Sequence, residues 1–314
     1  MTITQLQYVL AVAEHQNFTK AAEKSFVTQP TLSMQIQKLE DELDILIFDR
    51  SKKPIQLTEI GQKIVNQARN IVNEADRIQD IVDQQKGFIG GEFKLGIIPT
   101  VTPTLLPMFL NNFIKKYTKV NLKIEELTTE TIIEKLLDGH LDAAIAATPL
   151  ENELIKKRVL YYEPFVGYIN ESHPLYKKKS LTIEDIDIDD MLLLDDGHCF
   201  KNSVINLCRV SNPVEKNGFQ LESGSFETLI KLANEGLGMT LLPYLHTLDL
   251  KNNEEKFLRQ FEDPKPAREI SLIFHRSELK MQIIEVLQST IAGIIKGAIA
   301  FQNVQIVSPL SNSK

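Results

Sequence analysis

Two cysteines make up the thiol inventory of this 314-residue chain, and they stand nine positions apart, as Cys199 and Cys208 in LLLDDGHCFKNSVINLCRV. A cysteine works as nucleophile or metal ligand through its thiolate. His198 precedes Cys199 and Lys201 follows two residues on, cations that favour the thiolate, while Asp195 and Asp196 oppose them. If the stretch is helical when the thiols are reduced, nine residues rise about 13.5 Å and turn about 900°, which leaves the sulfurs on opposite faces. A disulfide needs Cα atoms roughly 4.4–6.8 Å apart, so oxidation would have to refold the segment. Taken alone, a cysteine reads as a small buried hydrophobe, and the residues by themselves leave both readings open.

A second group of residues has a different chemistry. Thr28-Gln29-Pro30-Thr31 places a capping hydroxyl before a proline in a first helical turn. Leu32, Ile36, Leu39 and Leu43 then recur at spacings of four and three. They bury one face and leave Gln29, Thr31, Ser33, Gln35 and Lys38 free. Ahead of it, Leu6, Leu10 and Ala13 mark one helix and Thr19 to Lys24 a short second one, joined to the third by Ser25-Phe26-Val27. Support helix, tight turn and polar helix form the order of a helix-turn-helix, whose small polar side chains read base edges in double-stranded DNA. The stretch from Phe48 to Thr58 reads as a two-stranded wing, with Arg50, Lys52 and Lys53 at its tip to grip phosphates. Five acids lie between Glu40 and Asp49, and the formal net charge is -7. General coating of nucleic acid is thereby excluded, and binding must come from a local patch.

These groups need elements to hold them. Ile64, Ala68, Ile71, Ala75, Ile78 and Val82 alternate at four and three, the seam of a dimerising linker helix, and Gly87, Gly90 and Gly91 end it as a hinge. Beyond the hinge, strand-length apolar runs (Phe93 to Ile98, Leu122 to Ile124, Ala143 to Ala147) alternate with helical stretches (Pro103 to Tyr117, Thr131 to Leu137), an α/β pattern. The expected organisation is a winged helix-turn-helix at 1–58, a linker helix at 59–89 and an α/β regulatory part at 90–302. That part divides into subdomain I (90–163 and 269–302) and subdomain II (164–268), followed by a disordered tail at 303–314. No CxxC, Cys/His quartet or HExxH occurs, so neither a metal nor a cofactor is expected. Gly236 and Gly238 in NEGLGMTLLP lack the Gly-Lys-Ser/Thr of a phosphate loop and read as a helix-to-strand turn. The start has no cationic region before its apolar stretch, and no segment approaches about 18 apolar residues. A cytoplasmic protein without membrane contact is expected.

The string NFTKAAEKSFVTQPTLSMQIQKLEDELDILIFDR, with the later LTEIGQ, closely resembles the DNA-binding domain of LysR-type transcriptional regulators, and the likeness extends over nearly the whole chain. The resemblance implies two Rossmann-like, periplasmic-binding-protein-like subdomains, a homotetramer built as a dimer of dimers, and contact with RNA polymerase. DGHC, followed by Cys208, resembles the redox loop of the peroxide-sensing branch of that family. That likeness implies that Cys199 is the peroxidatic and Cys208 the resolving cysteine, with cellular dithiols as reductants. It also implies that Thr100, Thr129 and His198 position hydrogen peroxide. The chain departs from the pattern at Lys201-Asn202, where Arg-Asp is frequent, and at Glu130, where a histidine can occur. Rival expectations are a LysR-type regulator of a small organic effector with incidental cysteines, a thiol peroxidase and a solute-binding protein. The chain is expected not to be an enzyme.

Overall fold

The computed structural model describes residues 1–85, 88–195, 199–207, 224–251, 253–299 and 304–310, with the backbone alone at 76, 79, 80, 83, 84 and 199. It divides into two units, Met1–Phe88 and Ile89–Lys314.

In the first unit, Thr2 and Gln5 form a capping box that starts α1 (Ile3–His15). Asn17 accepts from the backbone N–H groups of Thr19 and Lys20 to start α2 (Phe18–Lys24). The chain turns at Phe26, in the left-handed region at φ 55, and enters α3 (Gln29–Leu43). Thr28 precedes α3 as expected, but its hydroxyl pairs with that of Thr31 at 2.8 Å and makes no cap bond. Pro30 removes one of the two backbone donors that a cap ordinarily takes. Leu32, Ile36 and Leu39 are fully buried, whereas Leu43 is exposed because the helix ends there, with Asp44 left-handed behind it. The wing is an antiparallel pair, β1 (Phe48–Asp49) and β2 (Gln56–Leu57), followed by α4 (Glu59–Gln85). Val65, Ala68 and Val72 of α4 join the core made by α1, α2 and α3. The apolar seam is thus divided. Of its first half, Ala68 is buried in the chain's own core with Ile64 and Ile71 packed against it, while Ile78 and Val82 of its second half, and Ile81 beside them, remain exposed.

The second unit begins with β3 (Gly91–Ile97), α5 (Thr102–Lys116), β4 (Val120–Glu126), α6 (Thr129–Leu137) and β5 (Ala143–Thr148), alternating as the sequence pattern predicts. β3 lies between β4 and β5, parallel to both, and the small side chains of β5 are all buried. This suits a strand covered on both faces. Then come β6 (Ile155–Tyr168), β7 (Ser180–Leu181), α7 (Cys199–Leu207), α8 (Phe226–Asn234), β8 (Thr240–Pro243), α9 (Tyr244–Thr247) and β9 (Leu258–Phe261). β10 (Lys265–His275) returns between β5 and β6, antiparallel to both, and α10 (Met281–Ala298) closes over the first core. Up to Pro164, β6 pairs with β10; from Phe165 on it pairs with β8 and β9. Two apolar cores result, one around β3, β5 and α5, the other around α7, α8 and β8.

One expectation is corrected. Residues 304–310 are not a disordered tail: β11 (Val304–Ile306) pairs in parallel with Lys265 to Ala267 of β10, and Val307 is buried in the second core. The Asn206 amide of α7 donates to the carbonyls of Ser308 (2.9 Å) and Leu310 (2.7 Å). Burial of Val307, with Val304 half-buried, adds to the strand pairing in ordering the segment, while Ile306 stays exposed. Asn206→Ala is expected to cost about 1–2 kcal/mol, the loss of two partly buried hydrogen bonds, and to speed hydrogen exchange at the Val307 amide, which donates to Ala267. Unchanged protection at Val307 would mean that strand pairing alone holds the tail.

Candidate functional site

Thr100 and Thr129 stand where parallel strands give way to helices, beyond the carboxyl ends of β3 and β4, the place where open α/β sheets bind ligands. Thr128 caps α6 by accepting from the Thr131 N–H, which frees Thr129 from that task. The Thr129 hydroxyl is buried without a hydrogen-bond partner among the described residues. The Thr100 hydroxyl is engaged. It accepts from Arg268 Nη1 at 2.8 Å, while the Thr100 carbonyl accepts from Arg268 Nη2 at 3.1 Å.

Arg268 is the centre of this arrangement, and sequence reasoning missed it. It sits on β10 opposite Glu163 of β6, and both side chains are 1% exposed. Arg268 donates from Nε (2.9 Å) and Nη2 (2.8 Å) to Glu163 Oε2, and Glu163 Oε1 accepts the backbone N–H of Leu245 at 2.9 Å. A buried ion pair persists only when its donors and acceptors are satisfied in this way. The guanidinium also lies 5.2 Å from the centroid of the Phe200 ring. Phe200 follows Cys199 in the first turn of α7 and continues edge-on to Phe226, which in turn meets His246. Burial pulls the His246 pKa down, against the opposing pull of the Asp249 and Glu163 carboxylates. Cys199 thus begins a helix whose second residue carries a fixed cation over its ring. The Cys199 side chain, His198 and Cys208 lie outside the described residues.

On the first unit, Gln29, Thr31 and Lys38 are exposed on α3, as are Lys52 and Lys53 on the wing. Three other expected DNA contacts are used within the protein. Arg50 pairs with the buried Glu40 at 2.8 Å, packs against the Phe18 ring and reaches the Ser33 hydroxyl at 3.4 Å. The Gln35 side chain accepts from Gln5 Nε2 at 3.3 Å. Glu40 Oε1 also takes the N–H groups of Ile47 and Phe48. Two of the five acids that dilute the local charge are paired within the chain, the buried Glu40 in this strut and the exposed Glu42 on the N-terminal amine. A pocket between the start of α2 and the wing is lined by His15, Gln16, Asn17, Phe18, Thr19, Lys20, Arg50, Lys52, Lys53, Pro54 and Ile55, with no carboxylate among them. Such a local cationic concavity suits a phosphate backbone.

Among the described residues, no group of three or more His, Cys, Asp or Glu side chains could hold a metal ion, and no helix is long and apolar enough to cross a membrane. Residues 3–62 match the bacterial regulatory helix-turn-helix protein of the lysR family, and residues 86–290 match the LysR substrate binding domain. The chain is 32% identical over 274 residues to the DNA-binding transcriptional dual regulator OxyR of Escherichia coli K12, which covers 87% of this chain and 89% of that one. It is 30% identical over 296 residues to the hydrogen peroxide-inducible genes activator of Haemophilus influenzae, covering 94% and 98%. Full-length OxyR C199D from Pseudomonas aeruginosa superposes with a TM-score of 0.74 at 33% identity, covering 93% of this chain and 98% of that one. A peroxide-bound OxyR mutant from Corynebacterium glutamicum gives 0.63 at 28% identity, covering 95% and 93%. Two family matches in chain order, one of them spanning more than half the residues, and relatives matched nearly end to end place this protein in the LysR family of bacterial transcriptional regulators.

Proposed function

We propose that this regulator senses hydrogen peroxide by forming a reversible disulfide between Cys199 and Cys208, and that the refolding of α7 alters its grip on promoter DNA. The observation that carries the reading is the buried Arg268–Glu163–Thr100 network, whose cation rests on Phe200 at the start of α7. A cation and a helix N-terminus both favour a thiolate at Cys199. That thiolate attacks one peroxide oxygen, giving Cys199 sulfenic acid and hydroxide; the Cys208 thiol then displaces water and closes the disulfide. A cellular dithiol returns the two electrons and restores both thiols. Thr129, with its buried unpartnered hydroxyl, has free capacity to bind peroxide, whereas Thr100 acts in the same network as the anchor of Arg268.

Helix α7 supports the switch. Eight steps of about 1.5 Å separate the Cα atoms of Cys199 and Leu207 by about 12 Å. A disulfide needs Cα atoms within roughly 7 Å, so in this proposal oxidation of Cys199 unwinds α7. Cytoplasmic location, a dimer of dimers assembled in part through the exposed Ile78, Ile81 and Val82 of α4, dithiol reductants and contact with RNA polymerase belong to the same proposal.

Promoter footprinting with reduced protein, peroxide-treated protein and Cys199→Ser tests it. Peroxide is expected to change the wild-type footprint and to yield a Cys199–Cys208 crosslink, while the variant keeps the reduced footprint. An unchanged footprint with no crosslink, or induction by a small organic effector that survives Cys199→Ser, would remove the sensor reading. Sustained peroxide consumption with a reductant would replace it by a peroxidase.

A further inference from the structure

The outward face of α3 carries a large apolar side chain at its crest. Met34 is 61% exposed. At about 100° per residue, it points roughly opposite the centre of the face formed by the buried Leu32, Ile36, Leu39 and Glu40. Thr31 and Lys38 lie one turn before and one turn after it, both exposed. Two polar groups on the flanks are used within the protein, the Ser33 hydroxyl by Arg50 and the Gln35 side chain by Gln5, while Gln37 is exposed beside Met34. A scattered exposed methionine needs no explanation on a general surface. Met34, however, crowns the helix that the family places against base edges, beside Lys38.

Resting on the reading of α3 as the helix in the major groove, we propose that Met34 recognises the C5-methyl group of a thymine in each operator half-site. That methyl is the one apolar group that protrudes into the major groove; beside it lie hydrogen-bond donors and acceptors and the flat C5–H edge of cytosine. A thioether has no donor for guanine O6 or N7, and to the cytosine amino group it offers only a weak acceptor in place of water. Its unbranched, polarisable stem adapts to the position of the methyl. Burying one methyl-sized contact corresponds to about a fourfold gain in affinity.

The test uses the full chain and operators selected by it from random duplex DNA. Each thymine is replaced singly by deoxyuridine, which loses the methyl and keeps every hydrogen-bonding group. One position per half-site is expected to weaken wild-type binding about fourfold and to leave Met34→Ala unaffected. A 5-methylcytosine at that position should bind wild-type protein more tightly than cytosine. Wild-type indifference to every deoxyuridine, or an equal penalty in Met34→Ala, overturns the proposal. Lys38→Ala separates the two failures. If it weakens binding to all sequences alike while deoxyuridine matters nowhere, the Met34 contact alone falls. If it changes nothing on any duplex, the placement of α3 falls and takes Met34 with it.

Discussion

Glu163→Ala is expected to destabilise the Ile89–Lys314 unit by about 3–5 kcal/mol, the cost of leaving one member of a buried ion pair uncompensated. Both partners are 1% exposed, so water does not replace the lost carboxylate. The deletion strands the Arg268 charge and also the Leu245 N–H that Glu163 Oε1 accepts. Glu163→Gln, which keeps the shape and one acceptor but not the charge, is expected to fall between wild type and alanine. Replacing both residues by apolar side chains of similar volume should recover most of the loss, because desolvated pairs contribute little beyond their own compensation. Amide exchange in β6 and β10 through a urea titration measures this. A loss below about 1 kcal/mol for alanine would place the pair with surface ion pairs. The double apolar variant has a second use. It retains the fold without the cation over Phe200, so a drop in its rate of oxidation at Cys199 reports the charge and not the stability.

How much of this was legible follows from how local each signal is. The buried face of α3 and the alternation of strand and helix from β3 to β5 rest on periodicities within single segments, and they were legible. The Glu163–Arg268 pair joins strands far apart in sequence. Its local trace is a single carboxylate in YYEPFVGY and a single guanidinium among the apolar residues of AREISLIF. Each is an odd charge in a buried run, and only topology makes them neighbours. Arg50 was expected at phosphates because a wing tip is cationic, yet the buried Glu40 claims it; nothing local in KLEDEL says which acid turns inward. Met34 was overlooked because a methionine in an amphipathic helix reads as core, although its phase sets it opposite Leu32, Ile36 and Leu39. The tail had a signal too. Val-Gln-Ile-Val is β-branched and alternating in part, but the edge of β10 that receives it is defined only by the folded sheet.

Gly61→Ala is expected to destabilise the Met1–Phe88 unit by about 3 kcal/mol, at the upper end of overpacking costs. Helix propensity argues for the opposite sign, since alanine inside a helix ordinarily gains about 0.5–1 kcal/mol over glycine. Packing decides it. Gly61 lies in the first turn of α4, and a Cβ there would stand 2.0 Å from the Ile47 carbonyl oxygen and 2.9 Å from its carbon, both backbone atoms. The backbone of Ile47 cannot retreat freely. Its carbonyl accepts the Thr58 N–H at 3.0 Å, and its own N–H donates to Glu40 at 2.8 Å. Ile47 and Phe48 are buried in the core. Thr58 adds a second tie: its hydroxyl donates to the Leu46 carbonyl at 2.6 Å and accepts the Gly61 N–H at 2.9 Å. Seating a methyl would therefore pull Ile47 and Phe48 off Glu40 and release the strut from Glu40 through Arg50 to Ser33 that couples the wing to α3. Thermal unfolding of the N-terminal unit, followed in the full chain together with operator affinity, reads both consequences. An alanine variant as stable as wild type would show that the close approach of α4 to Ile47 is absent in solution, and the glycine of LTEIGQ would then need another explanation.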